Sequence, residues 1–166
     1  MESDEKTIEK DKKTLSLKSM YFNRYLLVRY ASALFFFTNL YWFISLTLSQ
    51  SAFFFVPLIL LIFLVGSISE QVKIYSDHTN NAKYTRLSFL TLLVTNILLV
   101  VPVYFSSSFT QLYPFLVDET KAKLLILLIL IVGIGISGVI LYRLNKIKHN
   151  EDRHYKRIKQ YEEAIN

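Results

Sequence analysis

The sequence predicts an all-α integral membrane protein: a four-helix bundle of two helical hairpins, both termini cytoplasmic, with the C-terminal helix extending into the cytoplasm. Three observations carry this reading. First, the 166 residues are 52% hydrophobic and only 19% charged, against roughly 25% charged in an average globular domain. Second, Asp, Glu, Lys and Arg are missing from residues 30–69, 87–117 and 124–142. A soluble domain of this length has to spread charge over its surface, whereas uncharged apolar runs of about 18 residues or more indicate membrane spans. Third, the cations are segregated: 17 of the 19 Lys and Arg fall in the segment up to Arg29, the loop from Glu70 to Arg86 and the tail from Arg143. Positive residues mark the cytoplasmic side.

Residues 1–24 form a cytoplasmic N-terminal segment of mixed charge. It holds five acids and four lysines in its first 13 residues, which is unlike a signal peptide, and reads as flexible or as a surface helix. A four-span domain follows over residues 25–142. Its spans are expected at about 30–49, 51–69, 87–106 and 122–142, each close to the ~20 residues a helix needs to cross ~30 Å of hydrocarbon. The first two form a tight hairpin at Gln50. Arg24, Arg29, Arg86 and Arg143 sit at the cytoplasmic ends as interfacial anchors, with Tyr21, Phe22, Tyr25 and Tyr30 forming an aromatic belt around the first two. Tyr104, Phe105, Tyr113 and Phe115 play the same part at the outer interface. The outer loop "SSFTQLYPFLVDETK" is the candidate for contact with an external partner.

Residues 143–166 make a basic helical tail that continues the fourth helix. Leu144, Ile147, Ile158, Tyr161 and Ile165 recur at heptad-like spacing, suited to docking on a membrane or a partner.

"GIGISG" at residues 133–138 matches the G-x-G-x-x-G dinucleotide fingerprint. That fingerprint requires a strand before it and a helix opening at its last glycines, but here it lies in the middle of an apolar run. Helix packing explains it better, since small residues let backbones approach closely in lipid. Gly133 and Ser137 share one face, and Gly135 and Gly138 share another. Gly66 and Ser67 on the second span are the expected counterpart.

No ionisable residue lies near the centre of a span, which weighs against proton relays and charged-substrate paths. Two amides do lie there: Asn39 and Asn96, each ten residues after an arginine. They are expected to face the bundle interior at one depth and to pair, as polar glue. Arg29 and Arg86, Ser51 and Ser108, and Pro57 and Pro114 share the same offset of 57 residues, a hint of a duplicated two-helix unit.

The chain has no Cys, which excludes disulfides and cysteine chemistry. His149 and His154 are five apart and do not form a chelating pair. Asp77 and His78 read as a solvated loop. No catalytic, cofactor-binding or metal-ligating residues are assigned.

The stretch "KSMYFNRYLLVRYASALFFFTNLYW", together with a usage of 13 Lys to 6 Arg, resembles the small four-span membrane proteins of Gram-positive bacteria. Some of those are labelled as associated with cellobiose phosphotransferase transport. The expected location is the plasma membrane, and the label implies a link to sugar uptake for the transporter alternative given below. A phosphorylated-histidine bundle is not accommodated, because His78, His149 and His154 fall in loop and tail.

The expected function is that of a non-enzymatic accessory, regulatory, scaffold or immunity-type partner of another membrane component. The alternative is a small oligomeric transporter or channel subunit. Expected partners are the anionic cytoplasmic leaflet and another membrane protein or a second copy of the chain. Nucleic acid is not expected.

Overall fold

The computed structural model describes residues 2–77 and 80–165, and among these every regular element is helical. Helix α1 (Glu2–Arg24) precedes α2 (Leu26–Leu48). A short 3₁₀ turn (Ala52–Phe54) leads into α3 (Phe55–Asp77). Then come α4 (Lys83–Val103), the seven-residue α5 (Ser106–Leu112), α6 (Thr120–Lys148) and α7 (Arg153–Ile165). Helices α2, α3, α4 and the first part of α6 are long and apolar enough to cross a membrane. They match the four predicted spans, with boundaries shifted by a few residues.

Each break in the chain has a local cause. Gln50 and Asn150 adopt left-handed conformations, φ 52° and 57°. Both follow a helix end, and both complete the same pair of capping bonds. Ser51 N donates to Leu46 O and Gln50 N to Thr47 O; Glu151 N donates to Lys146 O and Asn150 N to Ile147 O. These are Schellman closures, which satisfy the last carbonyls of a helix. The second one corrects an expectation: the tail does not continue the fourth helix. Helix α6 runs on to Lys148, then the chain turns at Asn150 and starts α7. Leu144 and Ile147 therefore lie on a different helix from Ile158 and Tyr161.

Pro102 sits in the last turn of α4. It has no N–H, and its ring crowds the preceding turn. Helix α4 ends one residue later, and Phe105 is extended before α5 begins. The expected third span, 87–106, is thereby cut short at its C-terminal end. Pro57 lies in the first turn of α3, but its offset partner Pro114 lies between α5 and α6. The two positions occupy unlike places in the fold.

The main helix contacts run between successive long helices: α2 on α3, α3 on α4, and α4 on α6. Contact between α2 and α6 is slight. Two buried clusters fill the interior. One, toward the termini, includes Val28, Phe35, Leu64, Phe89 and Ile140. The other, at the opposite end, joins Leu99, Val103, Ile126 and Leu130 to Phe109, Leu112 and Tyr113. The expected outer loop is therefore folded back: its first part forms α5, and Phe109, Leu112 and Tyr113 turn inward as a plug. Trp42 Nε1 donates to Leu112 O at 2.8 Å, and Ser51 Oγ to Gln111 O at 2.6 Å. Side chains of the first hairpin thus satisfy carbonyls that the end of α5 leaves free.

Gln50 carries a Cβ in a conformation that costs a non-glycine residue roughly 1–2 kcal/mol. Replacing Gln50 with Gly should stabilise the folded protein by about 1 kcal/mol, partly offset by the entropy of glycine in the unfolded chain. A higher midpoint of unfolding in detergent is the expected readout.

Candidate functional site: an arginine latch, a two-faced helix and a cavity

At the termini end, Arg24 departs from the snorkelling role expected of it. Its residue exposure is 1%. The guanidinium donates to both carboxylate oxygens of Asp152, with the shortest contact 2.6 Å. It also donates to Asn80 Oδ1 at 2.7 Å, Asn150 Oδ1 at 2.9 Å and the carbonyl of Ile147 at 3.0 Å. Asn80 Nδ2 donates to Asn150 Oδ1 in turn, at 2.6 Å. The loop after α3, the end of α6 and the start of α7 are thus all tied to the end of α1. Asp152 also accepts from Tyr155 N at 3.1 Å, as the N-cap of α7. Asn150 supplies an acceptor as well as the left-handed turn, a conformation Asn tolerates. Helices α1 and α7 lie together, with Tyr21 OH donating to Glu162 at 3.4 Å and Arg24 set over the Tyr155 ring at 5.0 Å.

Burial works to raise the Asp152 pKa, but hydrogen bonds and charge from Arg24 outweigh it and hold the carboxyl below its ordinary 3.8. Burial, aided by the charge of Arg143, lowers the His154 pKa below 6.5, so this imidazole is neutral at pH 7.

The remaining predicted anchors are placed differently from one another. Arg29 lies over the Phe22 ring at 4.1 Å and donates to Gln71 O at 3.3 Å. Arg143 donates to Arg24 O at 3.4 Å. Arg86 is exposed. Of the expected aromatic belts, Tyr30, Tyr104 and Phe105 are exposed, whereas Tyr25 and Tyr113 are core residues, drawn inward with the latch and the plug.

Next to the latch is a polar ladder that sequence reasoning missed. Gln71 Nε2 donates to Ser32 Oγ at 2.8 Å and Ser67 Oγ at 3.0 Å. Glu70 accepts from the backbone N–H groups of Tyr84 and Thr85 and from the Thr85 hydroxyl. A carboxylate from α3 therefore caps the N-terminus of α4, where Ala82 cannot. Ser88 Oγ donates to Phe63 O at 2.6 Å. The i, i+4 spacing of Ser67 and Gln71 was the available signal. For the latch it was "NED", a stop residue followed by a start residue.

Helix α6 has two unlike faces. Gly133 and Ser137 are buried on the inner one. A Cβ at Gly133 would meet Asn96 Nδ2 at 3.0 Å, so Asn96 occupies the space a side chain would fill. Ser137 Oγ is buried without a hydrogen-bond partner. A Cβ at Gly135 or Gly138 would meet nothing within 4 Å. Gly66 is likewise open, and it does not pack against α6; its neighbour Ser67 is the residue that turns inward.

The two membrane amides do not pair as expected. Asn39 Nδ2 donates to its own helix, to Phe35 O at 2.8 Å. They do share a cavity of about 190 Å³, bordered also by Phe35, Trp42, Leu92 and Tyr113. The cavity lies between the two core clusters. His78 falls outside the described residues. Among the described residues no three His, Asp or Glu gather as a metal site.

Comparison with family models, curated proteins and solved structures finds no match.

Two outcomes follow from the latch and the inner face. The Asp152 carboxyl contributes stability above its ordinary titration range and loses it as pH falls through the depressed value. Amide exchange of α7 should therefore stay slow at about pH 5 and accelerate only below 3.8. Asp152→Asn should accelerate it at neutral pH, because removing one partner of a buried pair costs about 3–5 kcal/mol. Gly133→Leu should lower the unfolding midpoint in detergent, since the Asn96 side chain stands where the new side chain must go.

Proposed function

We propose that this chain is a non-enzymatic, multi-pass protein of the plasma membrane that works by lateral association with another membrane component. In this reading both termini are cytoplasmic, and the basic ends meet anionic lipid. The observation that carries it is the outer face of α6. Gly135 and Gly138 are exposed with open space above them, and Ile131 and Tyr142, on the same face, are 63% exposed each. The result is a strip with a small-residue floor and larger side chains above and below it. A second transmembrane helix can approach such a strip closely, and its association is then driven by packing. The inner face of the same helix is already occupied by α4. One face thus holds the fold, and the other is left for a partner or a second copy.

The alternative is a small oligomeric transporter or channel subunit. It is supported by the interior cavity, but the clusters above and below that cavity are apolar.

Single Leu substitutions separate the two faces. Gly135→Leu and Gly138→Leu should leave the unfolding midpoint within about 1 kcal/mol of the parent, because no neighbour is displaced and leucine is the better helix former. The parent protein, extracted in mild detergent from its native membrane, is expected to run as a higher-mass complex, and these substitutions should abolish it. An unchanged complex in both variants would sink the proposal. Reconstituted protein that conducts solutes in liposomes would favour the alternative.

A further inference from the structure

We propose that the cavity between the two core clusters is a binding site for an uncharged, lipid-soluble molecule that carries a ring and a single hydroxyl, such as a phenol or an alicyclic alcohol. Four observations lead there. The cavity is about 190 Å³, larger than the voids a close-packed interior leaves by accident. Its walls are aromatic and aliphatic, with Phe35, Trp42, Leu92 and Tyr113 among them, and no ionisable carboxylate, amine or imidazole borders it. That excludes charged ligands. It opens sideways where α2 and α6 barely touch, past the exposed Thr38, Tyr41 and Ile129. A molecule dissolved in lipid therefore has a route in that avoids both polar ends.

The fourth observation selects the polar group. Asn39 is 6% exposed, and among the described residues its side chain makes one hydrogen bond, from Nδ2 to Phe35 O. Its Oδ1 is an acceptor with no protein donor. The half-buried Asn96 side chain, set over Gly133 and bordering the same cavity, makes no hydrogen bond among the described residues. An unpaired amide in an apolar interior is costly. A hydroxyl can donate to Asn39 Oδ1 and accept from Asn96 Nδ2, satisfying both with one group. Water could reach the amides, but a water needs two to four polar partners, so the apolar remainder of the cavity calls for carbon.

Trp42 is the only tryptophan of the chain and borders the cavity, so its fluorescence reports occupancy. The probe is 4-bromophenol, whose bromine quenches on contact. Its isostere 4-bromotoluene lacks the hydroxyl. Both are titrated against the full chain in phosphatidylcholine nanodiscs. The expected result is saturable quenching by 4-bromophenol, and quenching by 4-bromotoluene that only follows its partition into lipid. Asn39→Leu and Asn96→Leu should each weaken the saturable phase by on the order of tenfold, as loss of a hydrogen bond to a buried partner does. A shift of Trp42 emission or a loss of helical circular dichroism identifies a variant that has failed to fold. The parent protein alone still decides the matter: saturation by both probes alike, or by neither, overturns the proposal.

Discussion

The Arg24 guanidinium closes a bundle that its helices alone would leave open. Helices α2, α3, α4 and α6 pack in chain order, so each is held by the one before it, but the first and last of them scarcely meet. Between α2 and α6 runs a seam. At one end of it Arg24 binds Asp152, Asn150 and the Ile147 carbonyl, joining the chain just before α2 to the chain just after α6. At the other end the plug does the same. Trp42 of α2 donates to Leu112 O and stacks on Tyr113, with ring centroids 5.8 Å apart. A buried ion pair is poor evidence for net stability, because desolvation consumes much of the Coulombic gain. Its clearer effect is on uniqueness. A planar fork of donors, met by acceptors from three segments, admits one arrangement of the ends.

The cavity follows from the same topology. With both ends of the seam fastened and no contact required between them, the middle of α2 and α6 is free to stand apart. Gly133 sharpens this. It lets α6 settle onto α4 around Asn96, which draws α6 toward α4 and leaves the α2 side open. Two side chains that would have filled the space are short amides. The polar residues are also sorted along the bundle. Gln71, Ser32, Ser67 and Ser88 bond to one another or to carbonyls near the termini end. Asn39 and Asn96, and the buried Ser137 hydroxyl, are left with unused capacity.

How much of this was legible depended on the range of the interaction concerned. Span number and helix character follow from composition over twenty residues, and the four long helices lie where the charge-free runs place them. The two faces of α6 follow from 100° per residue, and Gly133 and Ser137 do lie opposite the exposed Gly135 and Gly138. The latch was not legible in this way. Arg24 stands where snorkelling arginines stand, and nothing in its neighbours says that residues 80, 150 and 152 will arrive beside it. Those contacts span 56 to 128 positions of sequence. The folding back of α5 was hidden for a similar reason: an apolar loop at an interface and a plug read alike until Pro102 is seen to end α4. Asn39 shows the limit from the other side. Its inward direction was readable, but the choice of Phe35 O over Asn96 is a competition between a bond within its own helix and one across a gap.

The same packing bears on what the bundle can do. A conduit would need polar groups or a wettable space continuous from end to end. Here the polar ladder near the latch is separated from the amides by Phe35 and Phe89, packed edge to face with ring centroids 6.0 Å apart. Beyond the amides Leu99, Ile126, Leu130 and the α5 plug close the other side. Polar capacity is thus confined to an island that communicates with lipid through the seam rather than with water through the ends. That arrangement suits a protein whose dealings are lateral, with helices on the outer face of α6 and with membrane-dissolved molecules at the seam. The two surfaces sit on opposite sides of one helix. Both proposed surfaces are therefore built on the one helix whose inner face is held by α4.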